Sequence, residues 1–304
     1  MKQLFLILFS CILLTVNAQD WNIPKVGDGG WEVEQEFTLN KKRRNILLIS
    51  EASAYTVALV GLNQLWYADY PKSSFHFIND NEEWLQMDKM GHMSASYYTG
   101  VAGIKAYEWA GFSRKNAIWY GGMTGSIFLT VIEVLDGTSE QWGASSGDLI
   151  ANTTGSLLAI GQALKWNEQR IQLKYSYSPS NMATKNPEQL GSNHLERALK
   201  DYNGQTYWLT LNIKSLLQIE NPDFPSWLSL ALGYGADEMV NPYQEEGDAE
   251  RYRQFLMSFD VDLNKIKTKN KTLNSVLHTF GFLKFPTPAI QYTNGNIFFH
   301  PIYY

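Results

Sequence analysis

Residues 145–178 read SSGDLIANTTGSLLAIGQALKWNEQRIQLKYSYS, and the fold turns on them. Up to Trp166 the apolar positions recur at helical spacing, and Ser145 and Ser146 are natural N-cap residues at the start. After Asn167 the period drops to two: Ile171, Leu173, Tyr175 and Tyr177 alternate with Gln172, Lys174, Ser176 and Ser178. A helix hands over to a half-exposed strand, and the chain changes character there.

Upstream, three further helical stretches are expected: about Asn45–Tyr67, opened by Lys41-Lys42-Arg43-Arg44, then Trp84–Ala110 and Ser113–Leu135. Four helices on short and medium loops predict an up-and-down bundle over residues 41–167. Downstream, alternation recurs around Tyr207–Ile213, Leu228–Tyr234 and Phe255–Leu263. Two shorter strands, Ala289–Tyr292 and Ile297–Tyr303, flank Asn294-Gly295, a hairpin turn pair, and a short helix near Leu273–Leu283 interrupts the series. The fold class is therefore α+β, with the helical bundle first and a mainly antiparallel β half over residues 168–304.

The chain has 304 residues, 44% of them hydrophobic, enough to bury a sizeable core. A formal net charge of −5 without a basic stripe argues against a nucleic-acid partner. Lys2 followed by the apolar run Leu4–Val16 and the small residues of Val16-Asn17-Ala18 reads as a signal segment, residues 1–18, with a polar segment at 19–40 after it. The alternatives are an uncleaved anchor helix and lipidation, since Leu8-Phe9-Ser10-Cys11 loosely resembles a lipoprotein cleavage site although it lies in the middle of the apolar run. Cys11 is the lone cysteine and sits inside the apolar run; cleavage after Ala18 would leave no cysteine for disulfides or thiol chemistry. The third helix carries an uncharged run, Ala117–Ile132, which a buried bundle helix explains at least as well as a membrane span. A mean hydropathy of −0.27 leans against a polytopic inner-membrane protein.

The chemistry, if any, gathers at one end of the bundle. Asp88 and His92 are four apart at the start of the second helix, and Glu133 and Asp136 end the third. Asp148 and Asn152 open the fourth, and the loop Gly137–Gly147, with Trp142, would cover the mouth. Candidate catalytic residues are His92, Asp88, Glu133 and Asp148; candidate binding residues are Asp136, Asn152 and Trp142. One imidazole among several carboxylates suits a divalent cation that accepts oxygen ligands, or a general acid–base pair. The bland readings are helix capping, an Asp-Gly turn and a buried network that locks helix register. Two histidines at zinc-hydrolase spacing, a Gly-x-Ser-x-Gly elbow and a phosphate loop are all absent from the sequence. Gly121-Gly122-Met123-Thr124-Gly125 falls inside an apolar helix and reads as close helix packing.

Asp88-Lys89-Met90-Gly91-His92, Glu133-Val134-Leu135-Asp136, Gly143–Leu149 and Asn152–Gly155 together resemble the YfiM-like family, predicted periplasmic lipoproteins of unknown function. The order of these pieces is also similar to that in the VanZ-like membrane family. The resemblance covers roughly Trp84–Trp166, and the β extension, with Phe285-Pro286-Thr287-Pro288-Ala289, looks like the longer members seen in Bacteroidota. It implies a location in the envelope, periplasmic or at the outer membrane, with envelope components as partners, and brings no established reaction. A binding or structural module is the leading expectation. The rivals are an envelope hydrolase or transferase acting on lipid-linked or cell-wall substrates, and an outer-membrane β structure with a helical plug. A continuous apolar band on the strands' outward faces would mark the last.

Overall fold

The computed structural model describes residues 38–64 and 70–304. The expected signal segment 1–18, with Cys11, and the residues following it up to 37 lie outside the described residues. So does the stretch 65–69, at the expected end of the first helix.

Four long helices come first: α1 (Lys41–Leu62), α2 (Met87–Trp109), α3 (Arg114–Gly137, with a π-turn at Ala117–Gly121) and α4 (Ser146–Trp166). Their starts follow capping chemistry. Asn40 accepts from the Arg43 N–H at 3.0 Å, and the Ser145 hydroxyl accepts from the Asp148 N–H at 3.0 Å. The expected start of the second helix at Trp84 is displaced to Met87. Trp84, Leu85 and Gln86 have φ of 48°, 49° and 67°, a left-handed turn that no L-residue favours. It is held from the far half of the molecule: Tyr234 donates to the Leu85 carbonyl, Arg253 to the Gln86 side chain at 2.8 Å, and the Trp84 N–H to the Pro242 carbonyl at 2.9 Å.

The expected four-helix bundle resolves into a tight unit of three. α2, α3 and α4 approach through small residues. A side chain on Gly125 would come within 2.6 Å of the Ser96 carbonyl oxygen, and one on Gly100 within 2.7 Å of that of Gly122. α1 lacks such a surface; its glycine, Gly61, meets no neighbour, and only Leu47, Ala54, Ala58 and Leu62 are buried. It lies along α2 and α3 as a flanking helix.

Between the helices, β1 (Phe77–Ile78) pairs in parallel with β2 (Ala144–Ser145), tying two loops across one end of the unit. Six antiparallel strands follow as a meander: β3 (Ile171–Tyr177), β4 (Gln205–Asn212), β5 (Leu228–Asp237), β6 (Tyr252–Val261), β7 (Thr287–Thr293) and β8 (Asn296–Tyr303). The interrupting helix spans Lys271–Thr279. The outward side of β3 packs on the helices: Tyr97 donates to the Ile171 carbonyl at 3.1 Å, and Leu173 shares a core with Tyr97, Ile104 and Ile160. The inward side is polar. Lys174, Asp260, Gln172 and Ser176 are buried there beside Trp208, whose ring meets Tyr303 of β8 at 5.6 Å. The helices thus flank the sheet instead of plugging it, and residues 282–284 run beside β3 through hydrogen bonds on both sides of Tyr175.

Candidate functional site

The β1–β2 pairing brings the loops before α2 and after α3 over the start of α2, the end of α3 and the start of α4. Lys89 stands at the centre. Its Nζ lies 2.6 Å from Asp80, 3.0 Å from Asp88 and 3.2 Å from Asp148. One ammonium serves three carboxylates. Burial pushes the Asp80 carboxyl up, but Lys89 and the hydroxyl of Ser145, 2.6 Å away, outweigh it and hold the group below the ordinary carboxylate range.

His92, Glu133 and Asp148 form the second half of the site. Their exposures are 6%, 3% and 6%, so the groups are closed off from bulk water. His92 Nδ1 lies 3.0 Å from Asn152 Oδ1 and 4.0 Å from Glu133 Oε1; His92 Nε2 lies 3.8 Å from Asp148 Oδ2. Glu133 accepts from the Ser145 N–H at 3.0 Å through its other oxygen. Ligand atoms of His92, Glu133 and Asp148 all fall within 4.8 Å of one another, as do those of Asp80, Asp88 and Asp148. Asn152 is fully buried, and its amide nitrogen has no hydrogen-bond partner among the described residues.

The structure therefore brings together Asp88, His92, Glu133, Asp148 and Asn152. Asp136 is buried at the end of α3, one turn beyond Glu133. Trp142 has its ring edge-on to Tyr70 at 4.9 Å and packs against the apolar cluster of Ala58, Ala95 and Phe128. Sequence reasoning passed over Asp80, Lys89 and the second role of Ser145. Lys89 stands between Asp88 and His92 in the quoted motif, a signal that was available. Asp80 ends a loop with no periodicity to mark it.

Residues 75–162 match a family model described as predicted periplasmic lipoprotein (DUF2279). The match falls on the helices and loops that build this site and leaves the β half uncovered. It supports the coarser resemblance, to predicted periplasmic lipoproteins, and carries nothing specific to YfiM-like or VanZ-like proteins. No curated protein and no solved structure matches the chain.

Proposed function

We propose that this chain is an exported cell-envelope protein whose helical unit holds a divalent cation at His92, Glu133 and Asp148, as a binding module. The observation that carries the reading is the surplus of buried acid. Among the described residues Asp80, Asp88, Glu133 and Asp148 face one lysine and one histidine, and burial together with a neighbouring carboxylate pushes the Asp88 and Asp148 carboxyls up to about 6. Buried charge of one sign is costly without a partner.

The geometry fits a cation. With Nδ1 carrying the proton, His92 donates to Asn152 and turns the Nε2 lone pair toward Asp148. This is how a metal-bound imidazole is usually held. The 3.8 Å between Nε2 and Oδ2 is too long for a hydrogen bond. Two bonds of roughly 2.0–2.2 Å to one ion span such a gap. Mixed imidazole and carboxylate ligands favour Zn2+ or Mn2+ over Ca2+. A water on the ion would give the Asn152 amide nitrogen its acceptor. The family description, predicted periplasmic lipoprotein, supports the location.

The test is elemental analysis and thermal unfolding of the full chain with and without chelator. One bound Zn2+ or Mn2+, lost together with its thermal stabilisation in Glu133→Gln and His92→Ala, is the expected result. A metal-free protein whose unfolding ignores both added cations and chelator would overturn it.

A further inference from the structure

The helices bury hydroxyls along with the apolar side chains of their core, Phe128, Leu129, Ile132 and Ile160 among them, and leave a second set of apolar side chains exposed. Ser94, Ser96, Thr99, Thr124, Ser126 and Ser156 are all less than 10% exposed, at the contacts among α2, α3 and α4. The outward stripes are Ile49, Val57 and Val60 on α1, Ile127, Val131 and Val134 on α3, and Ile150, Leu157 and Leu164 on α4, with Ile49 at 67% and Ile150 at 68% exposure. A water-facing helix shows the opposite arrangement. Small residues inside, hydroxyls bridging helices and branched apolar residues outside are what hydrocarbon surroundings select.

The sheet repeats the inversion at period two. Its pairing register aligns Leu209, Leu232, Met257, Ile290 and Phe299 in one row across five strands, each at least 36% exposed. The opposite faces of these strands carry Thr210, Ser258, Asp260 and Gln291, all buried, beside the small apolar cluster of Trp208, Ala231, Leu256 and Ala289. Apolar outside and polar inside is the dyad of lipid-facing strands.

Charge says what covers the belt. The start of α1, the start of α3 and the end of α4 meet at one end: the Asn40 N–H donates to the Ala110 carbonyl, and Arg114 donates to the Ala163 carbonyl at 3.1 Å. Lys41, Lys42, Arg43, Arg44, Lys115 and Lys165 gather there. Arg43 lies over Trp109 at 5.2 Å and Lys165 over Trp166 at 4.9 Å. Basic groups beside tryptophan mark the level of anionic headgroups. The acidic site occupies the far end. α1 to α4 span 22, 23, 24 and 21 residues, at 1.5 Å per residue about 32–36 Å, enough to reach across the roughly 30 Å hydrocarbon layer of a bilayer; among them α1 and α3 are also apolar enough to cross it. A second copy would cover one side; exposed apolar rows lie on three helices and five strands.

We infer that the belt faces the acyl chains of a lipid bilayer, with anionic headgroups against the basic end. The test uses the full chain, purified in detergent and mixed with phosphatidylcholine vesicles with and without phosphatidylglycerol. Nitroxide labels go on single cysteines at Ile49, Leu157 and Phe299, with Cys11 replaced by Ser. Expected are co-flotation with both vesicles, stronger with phosphatidylglycerol, and label relaxation by oxygen in preference to a water-soluble nickel complex. Exchanging Lys41, Lys42, Arg43 and Arg44 for Gln should weaken the phosphatidylglycerol preference by roughly fivefold per charge. Nickel access equal to that of a label at Gln244, or a stable detergent-free protein or dimer that ignores vesicles, would overturn the inference.

Discussion

Two buried ionic clusters, one in each half of the molecule, are built on opposite terms. In the sheet, Lys174 meets Asp260 at 2.6 Å, Lys284 lies 3.9 Å from the same carboxylate, and Asp262 accepts from Gln172 at 2.8 Å. Two lysines face two aspartates, and further contacts go to neutral groups: Lys284 to the Phe285 carbonyl, the Thr287 hydroxyl and the Trp208 ring. In the helical unit, four carboxylates share one lysine and one histidine. The sheet cluster closes on its own residues and is structural. The helical cluster, among the described residues, carries more carboxylates than cationic side chains. Charge balance, more than burial or residue type, separates the two.

The largest expected effect is at Lys89. Lys89→Met strips the ammonium from three buried carboxylates and should cost about 3–5 kcal/mol in denaturant unfolding. If the helical cluster accepts cations, Zn2+ or Mn2+ should recover part of that loss, because carboxylate oxygens of Asp80, Asp88 and Asp148 lie within 4.8 Å of one another. Lys174→Met in the sheet should cost about 3 kcal/mol, and no divalent cation should restore it. Equal rescue of both variants, or of neither, would erase the distinction.

A smaller effect is pH-dependent. Burial pushes Lys284 down to about 8, beyond what Asp260 restores. Its folded value lies below its unfolded one, so the unfolded chain binds more protons between the two. Stability should therefore rise from about pH 8 toward about pH 10.5, by roughly 1–3 kcal/mol. Lys284→Met should flatten that slope in thermal scans across the same range. The smallest effect concerns backbone strain. Gln218 has φ of 52° on an exposed turn, so Gln218→Gly should stabilise by about 0.5–1 kcal/mol in denaturant midpoint. Gln86→Gly, at φ of 67°, should show no gain, because Gln86 also bonds Asn81 and Arg253.

Much of the architecture was legible. The switch of period after Asn167 located the change from helix to strand, and six strands stand where alternation put them. The site was half legible: Asp88, His92, Glu133, Asp148 and Asn152 meet because alternating helices bring those ends together. Trp142 follows from its loop, but the ring of Tyr70 that it meets has no signal in the sequence. α1 was read as a bundle member from its apolar content, yet composition does not say which side of a helix will be covered.

Periodicity is a local property, and the sequence by itself determined what depends on it: the kinds of element, their order, and the end at which the acidic groups lie. Tertiary structure decided what depends on the path between elements. It set Asp80 against Lys89 and Ser145, joined Lys174 to Asp260, and left the apolar sides of α1, α3 and the sheet facing outward. Pairs of charges far apart in the chain have no spacing rule; only the folded backbone brings them within reach.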